Sequence, residues 1–588
     1  MSKRIAITGE GIISAIGIGK EEVTNSLINQ KTGIGEMKFL NSIHHELPVA
    51  EVPLSNSQMM DMLNINHDEL VSRTVLMGIL AVKQALDDAG IAYESLPKTK
   101  DNTILVSGTT VGGMDITENI FQNIESSDEL LNCLRHHECG DSTNDMANYF
   151  GCFDDTTTIS TACSSAANAI ILAAKLLQAG MADIVVAGGT EALSKFHLNG
   201  FNSLMILDHE LCKPFDEQRN GLNLGEGAAF IVMETEEHAK KRNADIHAYI
   251  TGYGNACDAF HQTATSENGE GAFLAMTEAL NMAELKPQDI DYINAHGTGT
   301  PNNDITECTA IKRIFNDNLP PISSTKGFTG HTTSASGAIE TVISLIAMKK
   351  HFIPVNLGWK NLMTDGISPT TQHTEMNIKH VMCNSFGFGG NDSALIISDS
   401  AKKGLKDLNS DVEIKVVAKV EIDDESLLDD IKRYVKPLAV RRMGKIMKAS
   451  LLASLKALEL AGIPAPEAVI TATRAGSLQY SENIMKQMRD LGENGVTPTY
   501  FMQSTHNTIG SNIAIFTKCH GYNVTFSHGD RSLEWAIRDA KLLLAEGKCK
   551  YVLVGCHDES TPLYNSFLER LGEKPLNAVK SLAMILTC

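Results

Sequence analysis

The chain has 588 residues, of which 43% are hydrophobic and 21% charged, and its formal net charge is −21 at pH 7. This length exceeds what one compact core needs and predicts two or more domains. The acidic balance argues against nucleic acid as a partner, and an acidic partner would need a local basic patch.

No uninterrupted run of 18 apolar residues occurs, and the first residues, MSKRIAITGEGII, contain no long apolar segment. We therefore expect neither a membrane partner nor a secretion signal. The 12 cysteines are scattered without disulfide-like spacing, which indicates a reducing compartment and hence a cytoplasmic location.

Apolar strands alternate with amphipathic helices along the chain, a pattern typical of an α/β protein. Strands are predicted at RIAITGEGI, NTILVSGTT, ADIVVAGGTEA and DIDYINAHGTG, and helices at VLMGILAVKQALDDAG and SSAANAIILAAKLLQAG. Each of these helices is expected to end at a glycine, Gly90 or Gly180.

Beyond a polar, lysine-rich segment at 400–411, which we interpret as a linker, the chain repeats its own beginning. The matched pairs are ILVSGTTVGGMDITENIFQNI with VITATRAGSLQYSENIMKQM, VLMGILAVKQALDDAGI with KIMKASLLASLKALELAGI, AAKLLQAGMADIVVAGGTE with DAKLLLAEGKCKYVLVGCHDE and, more weakly, GEGAAFIVMET with VKSLAMILTC. Four matches in the same order predict that residues 413–588 are a diverged copy of about the first 235 residues.

Cys163, in TISTACSSAANAI, is a candidate nucleophile because it stands at the start of a predicted helix. The helix dipole and the free N–H groups there favour the thiolate. Small neighbours leave room for a substrate. The alternative is a buried cysteine that acts as a small hydrophobic residue.

Three later motifs also combine glycine with reactive side chains. NAHGTGTPNND places His296 in a loop after a strand, and STKGFTGHTTSASGAIE places Lys326 and His331 in a turn that opens a helix. NSFGFGGND is a glycine-rich turn whose backbone N–H groups could approach a substrate oxygen closely.

Two other patterns are weaker. GEGIIS follows the first strand like a dinucleotide-binding fingerprint, but Ser14 stands where the third glycine is required. CLRHHEC holds Cys133, His136, His137 and Cys139, but four ligands within seven residues rarely suit a tetrahedral zinc site, so we expect no metal.

Together, TACSSA, NAHGTGTPNND, STKGFTGHTTSASGA and NSFGFGG, in this order, resemble the motifs of the β-ketoacyl synthases, the thiolase-fold condensing enzymes of fatty acid and polyketide synthesis. KPFDEQRNGLNLGEGAAF resembles another segment of that family. The resemblance covers about residues 1–400 and implies a fold of two similar layered α/β halves, 1–240 and 241–400, followed by a linker at 401–412.

The resemblance implies that Cys163 accepts the acyl group and that His296 and His331 hold the malonyl thioester and stabilise the enolate formed on decarboxylation. Lys326 would orient this step, paired with Glu340. The chemistry is consistent, since acyl transfer produces an oxyanion that needs preorganised donors and neutral imidazoles can stabilise an enolate without a metal.

Further roles follow from the same resemblance. Phe388 would gate the acyl pocket, and its N–H and that of Cys163 would form the oxyanion hole. The predicted substrate-binding residues are Thr298 and Thr300, toward phosphopantetheine, and Val111, Phe201 and Phe386; Asn391 is a supporting residue. No cofactor of its own is implied, because phosphopantetheine arrives on the acyl carrier protein.

Two other enzymes remain as alternatives. A thiolase would use a second cysteine as base, for which Cys383 is the candidate, and a Cys/His hydrolase would not need the Lys326/His331 turn. Initiating synthases usually have Asn where His331 stands, so the resemblance favours the elongating type. Fatty acid and polyketide pathways both remain open, and the fused copy favours a specialised route.

The copy at 413–588 resembles the N-terminal half of a chain-length-factor-type partner. Its slot equivalent to Cys163 contains Ser527, His528, Gly529 and Asp530, none of which offers a thiolate. We predict a non-catalytic pseudo-partner that docks on the catalytic part, as an intramolecular pseudo-dimer. The alternative is a surface appendage beside an ordinary homodimer.

Acyl and malonyl thioesters of acyl carrier protein are the expected substrates. Where many relatives have a basic docking segment, this chain has NINHDELVSR, in which Arg73 is the one positive residue. The docking surface is therefore not assigned from the sequence.

Overall fold

A computed structural model describes residues 2–98, 100–316, 318–409, 411–441 and 443–588. We term the segment expected to be catalytic, 1–400, the catalytic part. Its first half contains the strands β1 (Ser2–Lys3), β2 (Ile5–Ser14), β3 (Gly17–Ile18), β4 (Thr103–Gly108), β5 (Asp155–Ile159), β6 (Ile184–Glu191) and β7 (Gly227–Thr235). Its helices are α1 (Lys20–Ile28), α2 (Asn56–Leu63), α3 (Arg73–Asp88), α4 (Met114–Ile120), α5 (Asp128–Asn132), α6 (Cys139–Phe150), α7 (Ser165–Ala179), α8 (Lys195–Ser203) and α9 (Glu236–Lys241).

The second half contains β8 (Ala248–Cys257), β9 (Tyr292–Asn294), β10 (Ile322–Ser323), β11 (Phe352–Ile353), β12 (Thr374–Glu375), β13 (His380–Gly387) and β14 (Asn391–Ser398). Its helices are α10 (Glu270–Ala283), α11 (Pro301–Phe315), α12 (Lys326–Thr329) and α13 (Ser336–Lys350).

The remaining strands are β15 (Leu405–Lys406), β16 (Lys415–Ile422), β17 (Ala468–Ala472), β18 (Asn523–Phe526), β19 (Val552–Glu559) and β20 (Val579–Thr587). They alternate with α14 (Pro437–Val440), α15 (Lys445–Ala461), α16 (Leu478–Leu491), α17 (Pro498–Ser504), α18 (Thr508–Thr517), α19 (Ser532–Glu546) and α20 (Pro562–Arg570).

Three five-stranded units of the same topology form one continuous sheet. The strand order is β10-β9-β13-β14-β8, then β2-β7-β6-β4-β5, then β18-β17-β19-β20-β16. Numbered along the chain, the strands of each unit are ordered 1-5-4-2-3, with strands 1, 5 and 4 antiparallel and strands 4, 2 and 3 parallel. Residues 413–588 are therefore a third unit of the same topology.

The copy preserves details of the first unit. The strand β2 has an irregularity in register between Ile7 and Gly9, and β16 has one at the equivalent place, between Val416 and Ala418. Both α7 and its counterpart α19 end at a glycine with left-handed backbone, Gly180 at φ +67° and Gly547 at φ +76°. A β-bulge twists its strand in a specific way, so its retention supports common descent of the two units.

The copy docks on the catalytic part through the edge strands β5 and β18. Ile159 pairs with Phe526 in antiparallel orientation, Ser160 N–H donates to Thr525 O at 2.9 Å, and Ser527 N–H donates to Thr158 O at 3.0 Å. This contact matches the predicted pseudo-dimer and not the surface appendage, because the sheet runs through the junction.

The predicted linker is partly folded. Leu405 and Lys406 form β15, which pairs with β1, and Leu405 and Leu408 are buried. These two leucines are the apolar residues of an otherwise polar segment, and they contribute to the largest core cluster. The lysine-rich composition of the segment gave no indication that its leucines are buried.

The glycines of GEGIIS have a packing role. A Cβ at Gly9 would lie 2.2 Å from the carbonyl oxygen of Ala85, and one at Gly11 would lie 2.0 Å from that of Ala81. The strand β2 therefore needs glycine to let α3 approach closely. This explains the pattern without a dinucleotide.

Helix α7 lies inside the protein. The segment Ala162–Ala179 is long and apolar enough to cross a membrane by length and composition, but 94% of it is buried within the fold. It is therefore a core helix.

A buried ion pair joins α7 to the copy. Lys175 Nζ and Asp539 Oδ1 lie 2.6 Å apart, and both side chains are fully buried. Tyr522 donates to the other carboxylate oxygen at 2.8 Å, and its ring lies 4.3 Å from the ammonium. Removing one member of such a pair leaves the other charge buried and uncompensated.

We expect Asp539→Ala to lower the free energy of unfolding by about 3–5 kcal/mol, because the buried Lys175 side chain would lose the carboxylate that compensates it. Urea denaturation of the full chain measures this change. The double variant Lys175→Met/Asp539→Leu should recover most of the loss. A single variant as stable as the unsubstituted protein would contradict the assigned role of the pair.

Candidate active site

Cys163 lies on a tight turn between β5 and α7. One 3-10 turn spans Ala162–Ser164, and Ala162 has a left-handed backbone at φ +51°, which is strained for alanine. The hydroxyl of Ser165 holds the turn, accepting from Thr161 N–H at 2.9 Å and donating to Ala162 O at 2.7 Å. This geometry aims the thiol into the space between the two catalytic halves.

Two histidines from the second half converge on the thiol. His331 Nε2 lies 3.1 Å from Cys163 Sγ, and His331 Nδ1 lies 3.0 Å from Ser336 Oγ. His296 follows β9, and its ring centroid is 5.4 Å from that of His331 with the planes at 82°. All three side chains are buried.

Lys326 holds His296 in place through hydrogen bonds. Its ammonium donates to the carboxylate of Glu340, to the carbonyl oxygen of His296 at 2.6 Å, and to His296 Nδ1 at 3.3 Å. An ammonium only donates, so His296 Nδ1 accepts and the ring proton is on Nε2. The sequence-predicted pair of Lys326 and Glu340 is therefore present.

Burial sets the charge states of the site. It lowers the pKa of His296 and of His331 well below the usual value, and the nearby charge of Lys326 lowers both further. Both imidazoles are therefore neutral at pH 7. The pKa of Glu340 rises to about 7 through burial, opposed by Lys326.

The thiol differs from the sequence-based expectation. Burial raises the pKa of Cys163 to about 11, and the charge of Lys326 and the backbone N–H groups of Phe388 and Cys163 oppose this rise only in part. The helix N-terminus alone favours a thiolate, but loss of water outweighs it. The resting thiol is protonated at pH 7.

By distance, Cys163, His296 and His331 could hold a metal ion, since their ligand atoms lie within 4.8 Å of one another. The adjacent ammonium of Lys326 disfavours a divalent cation there by charge repulsion.

The predicted gate residue, Phe388, packs against an apolar cluster. The Phe388 ring stacks on Phe201 with centroids 5.7 Å apart, and both belong to a cluster that includes Val111. The turn that carries Phe388 contains Gly389 and Gly390 at φ +85° and +72°, conformations that favour glycine. The structure thus brings these three predicted residues together.

The other predicted residues are more dispersed. Thr298 and Thr300 lie in the loop before α11, with their hydroxyl oxygens 2.9 Å apart. Phe386 packs on His296 at 5.9 Å between centroids, in a different cluster from Phe201. Asn391 bonds to the copy, donating to Asn523 O at 2.9 Å and accepting from Asn507 at 2.6 Å.

Sequence reasoning missed two buried carboxylates. Glu307 accepts from the N–H groups of His296 and Gly297 at 2.9 and 2.7 Å and so fixes the His296 loop. Glu191 accepts from Thr110 N–H at 2.8 Å and from Ser334 at 2.6 Å, which links the two halves. Glu191 could have been found from the repeat, because Asp558 accepts in the same way from Arg474 N–H.

The copy retains the turn but not the nucleophile. Gly529, at φ +55°, matches Ala162, and Ser532 makes the two hydrogen bonds that Ser165 makes. In this register Asp530 occupies the place of Cys163, and its side chain is 93% exposed. The copy therefore presents no equivalent buried reactive group at this turn.

The CLRHHEC segment lies against the copy. His136 pairs with Asp145 at 2.9 Å, His137 Nδ1 contacts Thr117 Oγ1 at 2.8 Å, and Cys139 Sγ lies 4.0 Å from His506 Nε2. The four candidate ligands do not converge, so a zinc site is not formed. The segment instead contributes to the contact with the copy, through Cys139 with His506 and Glu138 with Arg474.

A small cavity of ≈ 40 Å³ extends between the catalytic part and the copy. Val111, Met114 and Phe196 line it from one side, and Phe501 and His506 from the other. The Phe501 ring lies 5.2 Å from that of Phe201, which itself stacks on Phe388. Both the catalytic part and the copy thus line this cavity.

The family models agree with this division. A "Beta-ketoacyl synthase, N-terminal domain" model matches residues 2–239, a "Beta-ketoacyl synthase, C-terminal domain" model matches 247–360, and a second N-terminal-domain model matches 422–588.

The mitochondrial 3-oxoacyl-[acyl-carrier-protein] synthase of Arabidopsis thaliana is 32% identical over 434 residues, 67% of this chain and 93% of the relative. Among solved structures, an ishigamide ketosynthase/chain length factor is 28% identical with a TM-score of 0.63, over 68% of this chain and 99% of that one. A PfaC keto synthase-chain length factor covers all of this chain and 78% of its own, at 16% identity and a TM-score of 0.78, and so shows the fold alone.

The predicted thiolase-like fold with an added, diverged N-terminal-type half is thereby confirmed. The chain belongs to the β-ketoacyl synthase family.

Proposed function

We propose that the protein is a 3-oxoacyl-[acyl-carrier-protein] synthase that condenses an acyl thioester with malonyl-acyl carrier protein and releases CO₂. The observation that carries this proposal is the convergence of one thiol and two neutral imidazoles in a buried site that Lys326 braces. Arabidopsis 3-oxoacyl-[acyl-carrier-protein] synthase is a relative over 93% of its length, which supports the same reaction class.

In the first step the sulfur of Cys163 attacks the acyl thioester carbonyl. The carrier's pantetheine thiol leaves with the proton that the Cys163 thiol loses. The backbone N–H groups of Phe388 and Cys163, which already interact with the sulfur, would stabilise the oxyanion.

In the second step the malonyl group loses CO₂, and the electron pair of the broken C–C bond forms an enolate. Nε2–H of His296, fixed by Lys326, would donate to the enolate oxygen. Ser336, donating to His331 Nδ1, would leave a second Nε2–H for the same oxygen. Thr298 and Thr300 would contact the pantetheine arm.

In the third step the enolate carbon attacks the acyl–Cys163 carbonyl. A carbon–carbon bond forms, the carbon–sulfur bond breaks, and the Cys163 sulfur recovers a proton from solvent. The product is a 3-oxoacyl thioester two carbons longer than the starting acyl group.

A thiolase mechanism receives less support. Its base would be Cys383, but this thiol is hydrogen-bonded to Thr341 and Ser344 of α13, and burial holds its pKa far above the usual value. The Cys383 thiol is therefore held by hydrogen bonds to the core helix, and it would not act as a base.

The copy would act as a non-catalytic wall that limits the acyl chain. Phe501 closes the far end of the apolar pocket behind Phe201, and the gate carbonyl of Phe388 accepts from Asn507 of the copy at 2.7 Å. Substitutions in the copy would therefore affect both the gate and the end of the pocket.

Cys163→Ala should abolish covalent acylation, because alanine offers no nucleophile. Incubation with an acyl-carrier thioester followed by intact-mass measurement detects the acyl group on the unsubstituted protein. The control is Cys152→Ala, which removes a buried thiol from another core cluster. Persistent acylation of Cys163→Ala would refute the assignment.

Alkylation of Cys163 by iodoacetamide should accelerate about tenfold per pH unit between pH 7 and pH 10. The thiol pKa of about 11 means that the thiolate fraction keeps rising across this range. Mass spectrometry of the modified peptide follows the rate, with Cys163→Ala as the background. A plateau below pH 8 would indicate a thiolate–imidazolium pair and contradict neutral histidines.

Phe501→Ala should lengthen the product, because it removes a ring that packs against Phe201 at the pocket end. Product analysis with malonyl-carrier protein should show a shift of two or more carbons. Phe516→Ala, also in the copy but in its own core, is the matched control. Circular dichroism checks that both variants fold, and identical product lengths would exclude the wall role.

A further inference from the structure

A strongly basic stretch precedes and includes the first turns of α15. From Ile431 to Leu458 the sequence contains eight Lys or Arg residues and no Asp or Glu, in a chain that has 71 acidic and 50 basic residues. A charge run is commonly a solvated helix face, so the charge alone assigns nothing.

The same stretch forms a groove, which we term the basic groove, with a cavity volume of ≈ 470 Å³. Its floor is apolar, and four cationic side chains form its rim. The floor residues are Leu428, Ile431, Pro437, Leu438 and Val440, and the rim residues are Lys432, Arg441, Lys445 and Lys448. Leu438 is 80% exposed. An exposed apolar floor within a charged rim is the composition expected of a protein-binding site.

Local acids neutralise only part of this charge. Asp429 lines the basic groove and pairs with Lys432 at 2.8 Å, and Glu425 pairs with Lys445 at 2.9 Å. Within the described parts of the chain, no acidic side chain forms an ion pair with Arg441 or Lys448. The basic groove therefore keeps unneutralised positive charge on an otherwise acidic protein.

The floor of the basic groove and a loop that contacts the gate turn belong to one buried cluster. Ile431 and Val440 belong to the same buried cluster as Ala259, in the loop after β8. In that loop Gln262 O accepts from Gly389 N–H of the gate turn at 2.8 Å.

A second route leads through α18. Asn512 contacts Met443 Sδ at 3.8 Å, and its neighbour Ser511 packs against Gly389 so closely that a Cβ there would lie 2.2 Å from the hydroxyl. Met443 N–H donates to the carbonyl oxygen of Val440 in the groove floor at 3.2 Å, so this route leads from the basic groove to the gate turn.

The equivalent surface of the catalytic half is acidic. Helices α3 and α15 are equivalent and begin at Arg73 and Lys445. Before α3 stand the exposed Asp68 and Glu69, and Arg73 is buried in a pair with Glu226 at 2.6 Å. Arg73 is therefore unavailable to a partner.

We infer that the basic groove docks the acyl carrier protein, which presents an acidic, amphipathic helix to it. The rim charges meet the acidic side chains, the floor takes the apolar side of the helix, and the pantetheine arm extends toward Thr298 and Thr300. The cationic rim selects an acidic partner, and the carrier protein is the partner that the proposed function requires. The inference rests on the proposed function, which supplies the carrier protein as the substrate donor.

The test reverses two unpaired rim charges in the full chain, Arg441→Glu with Lys448→Glu. The matched control is Lys349→Glu with Lys350→Glu, at the exposed C-terminal end of α13, about 22 Å from the turn that carries His331. Both proteins are assayed with malonyl- and acyl-carrier protein, and with N-acetylcysteamine thioesters, which carry no protein.

We expect the groove variant to raise KM for the carrier thioesters about tenfold with kcat within a factor of two, because rim charges act mainly on encounter. Its activity with N-acetylcysteamine thioesters should equal that of the unsubstituted protein, as should every constant of the control. Added NaCl should raise the carrier KM of the unsubstituted protein more than that of the groove variant.

An unchanged carrier KM in the groove variant would overturn the docking inference while acylation by the small thioesters upholds the proposed function. Absence of Cys163 acylation from either donor would instead overturn the proposed function and, with it, the inference. Loss of binding to phosphatidylglycerol vesicles or single-stranded DNA with an unchanged carrier KM would assign the groove to a lipid or nucleic-acid surface and refute carrier docking.

Discussion

The antiparallel contact between β5 and β18 is the constraint on which the site depends. Strand β5 is the edge of its five-stranded unit, and its end carries the turn of Cys163. An uncovered edge leaves backbone donors and acceptors unpaired, which is costly beside a buried site. The copy covers this edge, and the ion pair of Lys175 and Asp539 holds α7 against it.

Near this contact the backbones of the catalytic part and the copy are related by an approximate twofold axis, but their side chains differ. Ile159 faces its own counterpart Phe526, and Cys139 faces His506, which occupies the equivalent place in the copy. The copy kept the strand order, the register irregularity and the strained turn, all of which packing enforces. It lost the thiol, which no packing requirement preserved.

Local patterns in the sequence predicted the units well. Strands, glycine-terminated helices and the repeat each depend on short segments, and four motifs in order indicated Cys163, His296, His331 and Lys326, which the structure brings together. Glu307 and Phe501 were not predictable in this way, because their roles come from distant backbone groups and from the neighbouring unit. The protonated thiol also escaped prediction, since burial is a property of the whole fold.

The segment that contains β15 joins the catalytic part and the copy covalently. Because one covalent chain carries both sides of the junction, the effective concentration of each side for the other is independent of protein concentration. Dilution cannot separate the catalytic part from the copy that covers its β5 edge. Each polypeptide therefore carries one copy for each catalytic part.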